Sequence, residues 1–81
     1  MSYFVYILEC SDKTLYTGIA KDVHKRLEEH NTSNKGAKYT RVRRPVHLVY
    51  YEPSDDRSSA SKREHAIKKL TRAKKLELIN R

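Results

Sequence analysis

The chain has too little of several things for some classes of protein to stay open to it. Its one cysteine, Cys10, can close no internal disulfide. That agrees with a reducing compartment, and Cys10 reads as a small apolar strand residue. No run approaches the roughly 18 apolar residues of a membrane span, and the N-terminus has no basic region followed by a long apolar core. Neither a membrane anchor nor a signal peptide is expected, so the protein is read as cytoplasmic. Repeats and low-complexity tracts are absent from the sequence. His47 has no partner at metal-ligand spacing and is taken as structural. With 81 residues, 37% apolar and 35% charged, the chain reads as one domain, 1–81. Such a domain buries about three-fifths of its unfolded surface around a modest core.

What the sequence has in excess is positive charge. Eighteen Lys and Arg stand against ten Asp and Glu, for a formal charge of +8. An excess of that size on a small domain points to a polyanionic partner, with nucleic acid first and an anionic membrane surface second. The membrane reading is disfavoured because no helical stretch is strongly apolar on one face and basic on the other. The expected partner is therefore nucleic acid, probed by a monomer.

The chain opens as a β-hairpin. Tyr3 to Cys10 is rich in aromatic and β-branched residues, Ser11-Asp12-Lys13 is turn chemistry, and Leu15 to Ala20 resumes the strand pattern. A turn with an odd number of residues sets Tyr6 opposite Gly18 and Leu8 opposite Tyr16, so both phenols share one face and Gly18 leaves room beside them. Pairing alone leaves open that Tyr6 and Tyr16 are ordinary strand aromatics packing on a helix.

Asp22 is a good N-cap for a helix from Val23 to about Asn31. Val23, Arg26, Leu27 and His30 fall in a sector about 100° wide, with Lys25, Glu28 and Glu29 on the other side. A core-facing arginine either carries its head past the stripe to water or meets a phosphate or carboxylate. For His30 three roles stay open: a satisfied core histidine, a proton carrier, or a phosphate contact. From Asn31 to Arg44 the chain carries Lys35, Lys38, Arg41, Arg43 and Arg44 and no acid. It reads as a connection of about a dozen residues, a length that is usually functional or disordered. Cations interleaved with Tyr39 and Thr40 suit a phosphate backbone and a stacked base; a solvated basic loop is the alternative.

Val46 to Glu52 reads as a third strand, closed by Pro53-Ser54-Asp55-Asp56. A helix follows over Arg57 to Leu70, with Asp55, Asp56 or Ser58 as its cap. Ala60, Glu64, Ile67 and Thr71 lie within about 60° of one another, so Glu64 occupies the apolar stripe. It is either the ion-pair partner of Arg26 or a ligand for a divalent cation. Thr71 reads as the N-cap of a last helix whose Ala73, Leu76 and Ile79 cover the sheet while Arg72, Lys74 and Lys75 stay solvated. The fold class is α+β: a small three-stranded, largely antiparallel sheet flanked by about three helices.

Several of these residues carry a resemblance. Val5-Tyr6-Ile7 and Tyr16-Thr17-Gly18 on the hairpin strands, Arg26 with His30 four residues later, Gly36-Ala37-Lys38-Tyr39-Thr40-Arg41 with Arg44-Pro45-Val46 behind it, and Glu64 together resemble the GIY-YIG nuclease superfamily, in particular its small stand-alone bacterial members. The first triplet departs from the family pattern in having Ile after the tyrosine rather than before it. Ile19 stands where several members carry a lysine. The resemblance implies a metal-dependent endonuclease hydrolysing DNA phosphodiesters, with Tyr6, Tyr16, Arg26, His30 and Glu64 as the catalytic set. Within it, Glu64 would bind one Mg²⁺ or Mn²⁺, Arg26 stabilise the phosphate, Tyr16 act as general base and Tyr6 support it. Lys35, Lys38, Tyr39, Thr40, Arg41, Arg43 and Arg44 are expected to contact nucleic acid, with strong salt dependence and little sequence preference. Such a bare domain selects a DNA structure or acts with a partner. Asn80 stands for an asparagine found in some family sites. The other reading is a non-hydrolytic basic DNA- or RNA-binding module on the same scaffold.

Overall fold

A computed structural model describes residues 2–81. Strands β1 (Tyr3–Glu9) and β2 (Leu15–Ala20) form the expected hairpin, with Tyr6 opposite Gly18 and Leu8 opposite Tyr16. The turn is closed by the Cys10 N–H donating to the Thr14 carbonyl at 2.9 Å. Asp12 organises it, accepting from the Thr14 N–H at 3.1 Å and the Thr14 hydroxyl at 2.6 Å. Lys13 sits in the left-handed region, φ 70°, which the tight reversal demands of one residue.

Strand β3 (His47–Ser54) pairs antiparallel with the other side of β1, giving the order β2-β1-β3. It runs two residues beyond the expected end and takes in Pro53. Being an edge strand, it tolerates a residue without an N–H. Alternation along β1 sends Val5 and Ile7 to one face and Tyr6 and Leu8 to the other, each pair into its own core cluster. The first cluster closes under α3 (Arg57–Lys68) and α4 (Arg72–Ile79) through Ala60, Ile67 and Leu78. The second closes under α1 (Val23–Thr32) through Val23 and Val46, with Leu27 packed against it. Asp22, Asp56 and Thr71 accept from the N–H of Lys25, Ser59 and Lys74 at 3.0, 2.8 and 3.2 Å. Caps of this kind stabilise a helix by about 1 kcal/mol each. On the α3 side, Arg63 grips both carboxylate oxygens of Glu52 at 2.9 and 3.1 Å and so pins α3 to β3.

Two expectations need correction. The stretch from 31 to 44 is not wholly a loop, because a one-turn helix, α2 (Lys38–Arg41), lies within it and packs on α1. It is the fourth helix, and a helix so short is held by its tertiary contacts rather than by propensity. On α4, Leu78 is the buried residue while Ala73 is exposed. Apolar residues are spread round this eight-residue helix, and burying a leucine gains more than burying an alanine.

Candidate active site

The register of the hairpin places the Tyr6 ring directly over Gly18. A Cβ at residue 18 would fall 2.6 Å from the Tyr6 hydroxyl and 2.7 Å from Cζ, so the position admits no side chain while the ring stays. Tyr6 is 1% exposed and its hydroxyl lies 2.9 Å from His30 Nε2. His30 comes from the inward stripe of α1 and is fully buried. Its Nδ1 is 2.8 Å from the Thr40 hydroxyl, which donates its own proton to the Ala37 carbonyl at 2.9 Å. The Ala37 N–H donates to the same Nδ1 at 3.3 Å.

Burial pushes the Tyr6 phenol up to about 12; Tyr16 and Glu64 add to the rise and Arg26 works against it. Burial and the positive charges of Arg26 and Arg44 bring His30 down to about 4, against the pull of Glu29. At neutral pH the pair is a phenol bonded to a neutral imidazole. Of the three roles open for His30, the geometry is that of a satisfied core histidine. Fully buried, it has no open face for a phosphate contact; it holds the Tyr6 hydroxyl and supports the ring of Tyr16, whose centroid lies 5.2 Å away.

Arg26 does not pair with Glu64. Its Nη1 binds Glu29 at 3.0 Å and the Lys35 carbonyl at 2.8 Å. Burial disfavours its charge, but the bond to Glu29 and the nearby Tyr6 phenol outweigh that and hold its pKa above the ordinary value. Glu64 instead meets Lys68, one turn on, at 3.3 Å. Each inward charge thus found a counter-ion on its own helix, where closing the contact costs little loop entropy. The charges of Arg26 and Glu64, on α1 and α3, nevertheless both act on the Tyr6 phenol, and with opposite sign.

Tyr16 is half-buried on the same sheet face as Tyr6. Its ring stacks on Tyr39 at 6.1 Å and 25°. The Arg43 guanidinium lies 3.9 Å over the Tyr39 ring, where a base would otherwise stack. Arg43 is further bound to Asp12 at 3.0 Å and to the Tyr39 carbonyl at 2.9 Å. Arg44 caps the end of α1, donating at 2.6 Å to the carbonyls of both His30 and Ser33.

These placements correct the expected nucleic-acid surface. Thr40 is fully buried and spent on His30 and Ala37. Arg43 and Arg44 hold the segment to the hairpin tip and to α1. Lys35, Lys38 and Arg41 remain exposed, with Arg41 also reaching the Asn34 carbonyl at 3.2 Å. The sequence reading missed Asn31, whose amide accepts from the Val46 N–H at 2.8 Å and donates to the Val46 carbonyl at 3.0 Å. No local signal announces such a clamp. It also missed a hollow of about 280 Å³ bounded by Leu15, Tyr16, Thr17, Tyr39, Lys68 and Lys75. Asn80 is the exposed C-cap of α4.

Among the described residues no group of three or more His, Cys, Asp or Glu could cage a metal ion. A site built on Glu64 alone suits a hydrated Mg²⁺ or Mn²⁺, which keeps several waters and accepts one or two protein oxygens. It does not suit a structural zinc. Among the described residues no helix is long and apolar enough to cross a membrane.

A family model described as the GIY-YIG catalytic domain matches residues 2–77. The chain is 63% identical over 78 residues to a UPF0213 protein of Staphylococcus aureus (strain Mu3), covering 96% of this chain and 94% of the relative. The solution structure of a UPF0213 protein from Bacillus halodurans superposes with a TM-score of 0.62 at 44% identity, covering 99% of this chain and 84% of that one. The solution structure of an E. faecalis protein does so with a TM-score of 0.66 at 43% identity and the same coverage.

Proposed function

Because the chain belongs to the GIY-YIG catalytic-domain family, we propose that it is a metal-dependent endonuclease hydrolysing DNA phosphodiesters. What supports this reading, beside the family match, is that Tyr6 and Tyr16 share one face of the hairpin beside Gly18. Arg26 on α1 and Glu64 on α3 are the guanidinium and the carboxylate that the reading assigns to the phosphate and the ion. When bound at Glu64, Mg²⁺ or Mn²⁺ supplies Lewis-acid stabilisation of the phosphate oxygens. Arg26, already fixed by Glu29 and Lys35, neutralises charge developing on those oxygens without reorganising.

Water attacks phosphorus, the P–O bond to the leaving nucleoside breaks, and the water proton passes to a base. Tyr6 is a poor candidate for that base, since it is buried and its phenol is pushed up to about 12. Tyr16, half-buried at the rim of the hollow, takes the role, with Tyr6 and His30 bracing its surroundings. Solvent protonates the leaving oxygen.

The test is incubation of the purified protein with supercoiled, branched and single-stranded DNA plus Mg²⁺ or Mn²⁺, beside Glu64→Ala. Cleavage by the wild type that the variant lacks is the expected result. No cleavage on any substrate, or equal cleavage by both, sinks the proposal. A second reading, a non-hydrolytic DNA- or RNA-binding module, is favoured by the counter-ions that Arg26 and Glu64 already hold in the free protein. It predicts binding indifferent to Glu64→Ala and weakened by reversing the charge of Lys38 and Arg41.

A further inference from the structure

Lys68 stands at the junction of two features that the proposed reaction leaves apart. On one side its ammonium meets the Glu64 carboxylate at 3.3 Å. On the other it lines the hollow with Tyr16, Tyr39 and Lys75. The lysine side chain is 52% exposed whereas that of Glu64 is 23% exposed, so the lysine is the member of the pair with room to move. Resting on the nuclease reading of Glu64, we propose that Lys68 is a phosphate ligand for the nucleotide next to the cleaved bond, which the free protein holds in reserve on Glu64.

The argument is one of competition for a single carboxylate. An ammonium and a divalent cation cannot both sit on Glu64 at close range, because two positive charges a few ångströms apart repel. Once an ion occupies the carboxylate, the ammonium is driven off, and its four-carbon stem gives it the reach to turn elsewhere. The hollow on its open side is bounded by two phenol rings, the apolar Leu15 and a second ammonium, Lys75, from α4. Flat rings beside paired cations suit one sugar-phosphate unit of a nucleic-acid strand. Strand β2 brings no cation of its own beside Tyr16: the residue after Gly18 is Ile19, packed against the core under α3. Lys68 and Lys75 are thus the charges this hollow offers a phosphate.

A metal-free double-mutant cycle on the full chain tests this, with a short single-stranded DNA as probe in EDTA. Glu64→Gln releases Lys68 and is expected to tighten binding roughly fivefold, and Glu64→Gln with Lys68→Gln to lose that gain, each charge contact being worth about a factor of five. In parallel, Mn²⁺ titrated into Lys68→Gln and followed by electron paramagnetic resonance binds about fivefold more tightly than in wild type. Lys68→Arg restores the DNA affinity of Lys68→Gln in the presence of Mn²⁺.

The proposal is overturned if the gain from Glu64→Gln survives in the double variant, which would make it a general effect of charge. It is also overturned if Lys68→Gln lowers only the melting temperature, as a mere helix-surface pair would. Absence of DNA cleavage by the wild type counts against the nuclease reading alone, since the cycle is read without metal or turnover.

Discussion

The Tyr6 hydroxyl meets Nε2 of His30 across 2.9 Å, inside the protein and away from water. The hydrogen-bonded run continues from Nδ1 to the Thr40 hydroxyl and from Thr40 to the Ala37 carbonyl. One residue of β1, one of α1 and one of α2 are thereby locked in a single orientation, and the one-turn helix has its reason to form.

This lock predicts a pH dependence of stability. His30 titrates near 6.5 when unfolded and is held down to about 4 in the folded chain, so between those values the unfolded state binds the extra proton. Stability is therefore complete above about pH 6.5 and falls as the pH drops toward 4, by roughly 2–3 kcal/mol from this group. Urea midpoints of wild type and His30→Asn at pH 7 and pH 4.5 check it: the variant starts lower and loses less on acidification.

Gly18→Ala is expected to destabilise by about 1–3 kcal/mol, the usual cost of forcing atoms into a filled site. Removing the hydroxyl with Tyr6→Phe does not rescue it, because Cζ would still lie 2.7 Å from the new methyl group. Denaturant unfolding of the two single variants and the double variant measures this directly. Full recovery in the double variant would show that the ring moves more freely than the packing implies.

Basic residues of the 31–44 stretch separate into two kinds. Arg44→Ala, which strips two carbonyls of their donor, costs about 1.5–3 kcal/mol of stability. Lys38→Ala leaves unfolding unchanged but weakens DNA binding and lowers the slope of log affinity against log salt by about one. Thermal melts and fluorescence anisotropy across a salt series distinguish the two.

If the protein cleaves DNA, Arg26→Ala lowers kcat by about 10²–10³ with a smaller change in KM, as expected for a group that acts on charge appearing in the transition state. A rise in KM at constant kcat would instead make Arg26 a binding residue. Single-turnover kinetics at saturating protein separates the outcomes.

Much of the fold was legible because it is written locally. The parity of the turn fixes the register of Tyr6 and Tyr16, three side chains one turn before their backbone donors announce three helix starts, and the 3.6-residue period marks Arg26 and Glu64 as inward. What was not legible depends on contacts between residues distant in sequence. Asp12 with Arg43, Asn31 with Val46 and His30 with Thr40 leave no periodic trace, and they decide which of the cations between 31 and 44 are spent. The pairing of Arg26 and Glu64 with nearby counter-ions was open to the sequence, at three and four residues.

The amide clamp of Asn31 on Val46 makes the chain leave α1 and re-enter β3 through one gate. The segment between is a closed ring slung from that gate, fastened from within by Thr40, Arg43 and Arg44 and studded on its outer rim by Lys35, Lys38 and Arg41. Exchange or insertion along the rim alters what the ring can grip and leaves its anchorage undisturbed, so selectivity can evolve there without re-aiming the phenols.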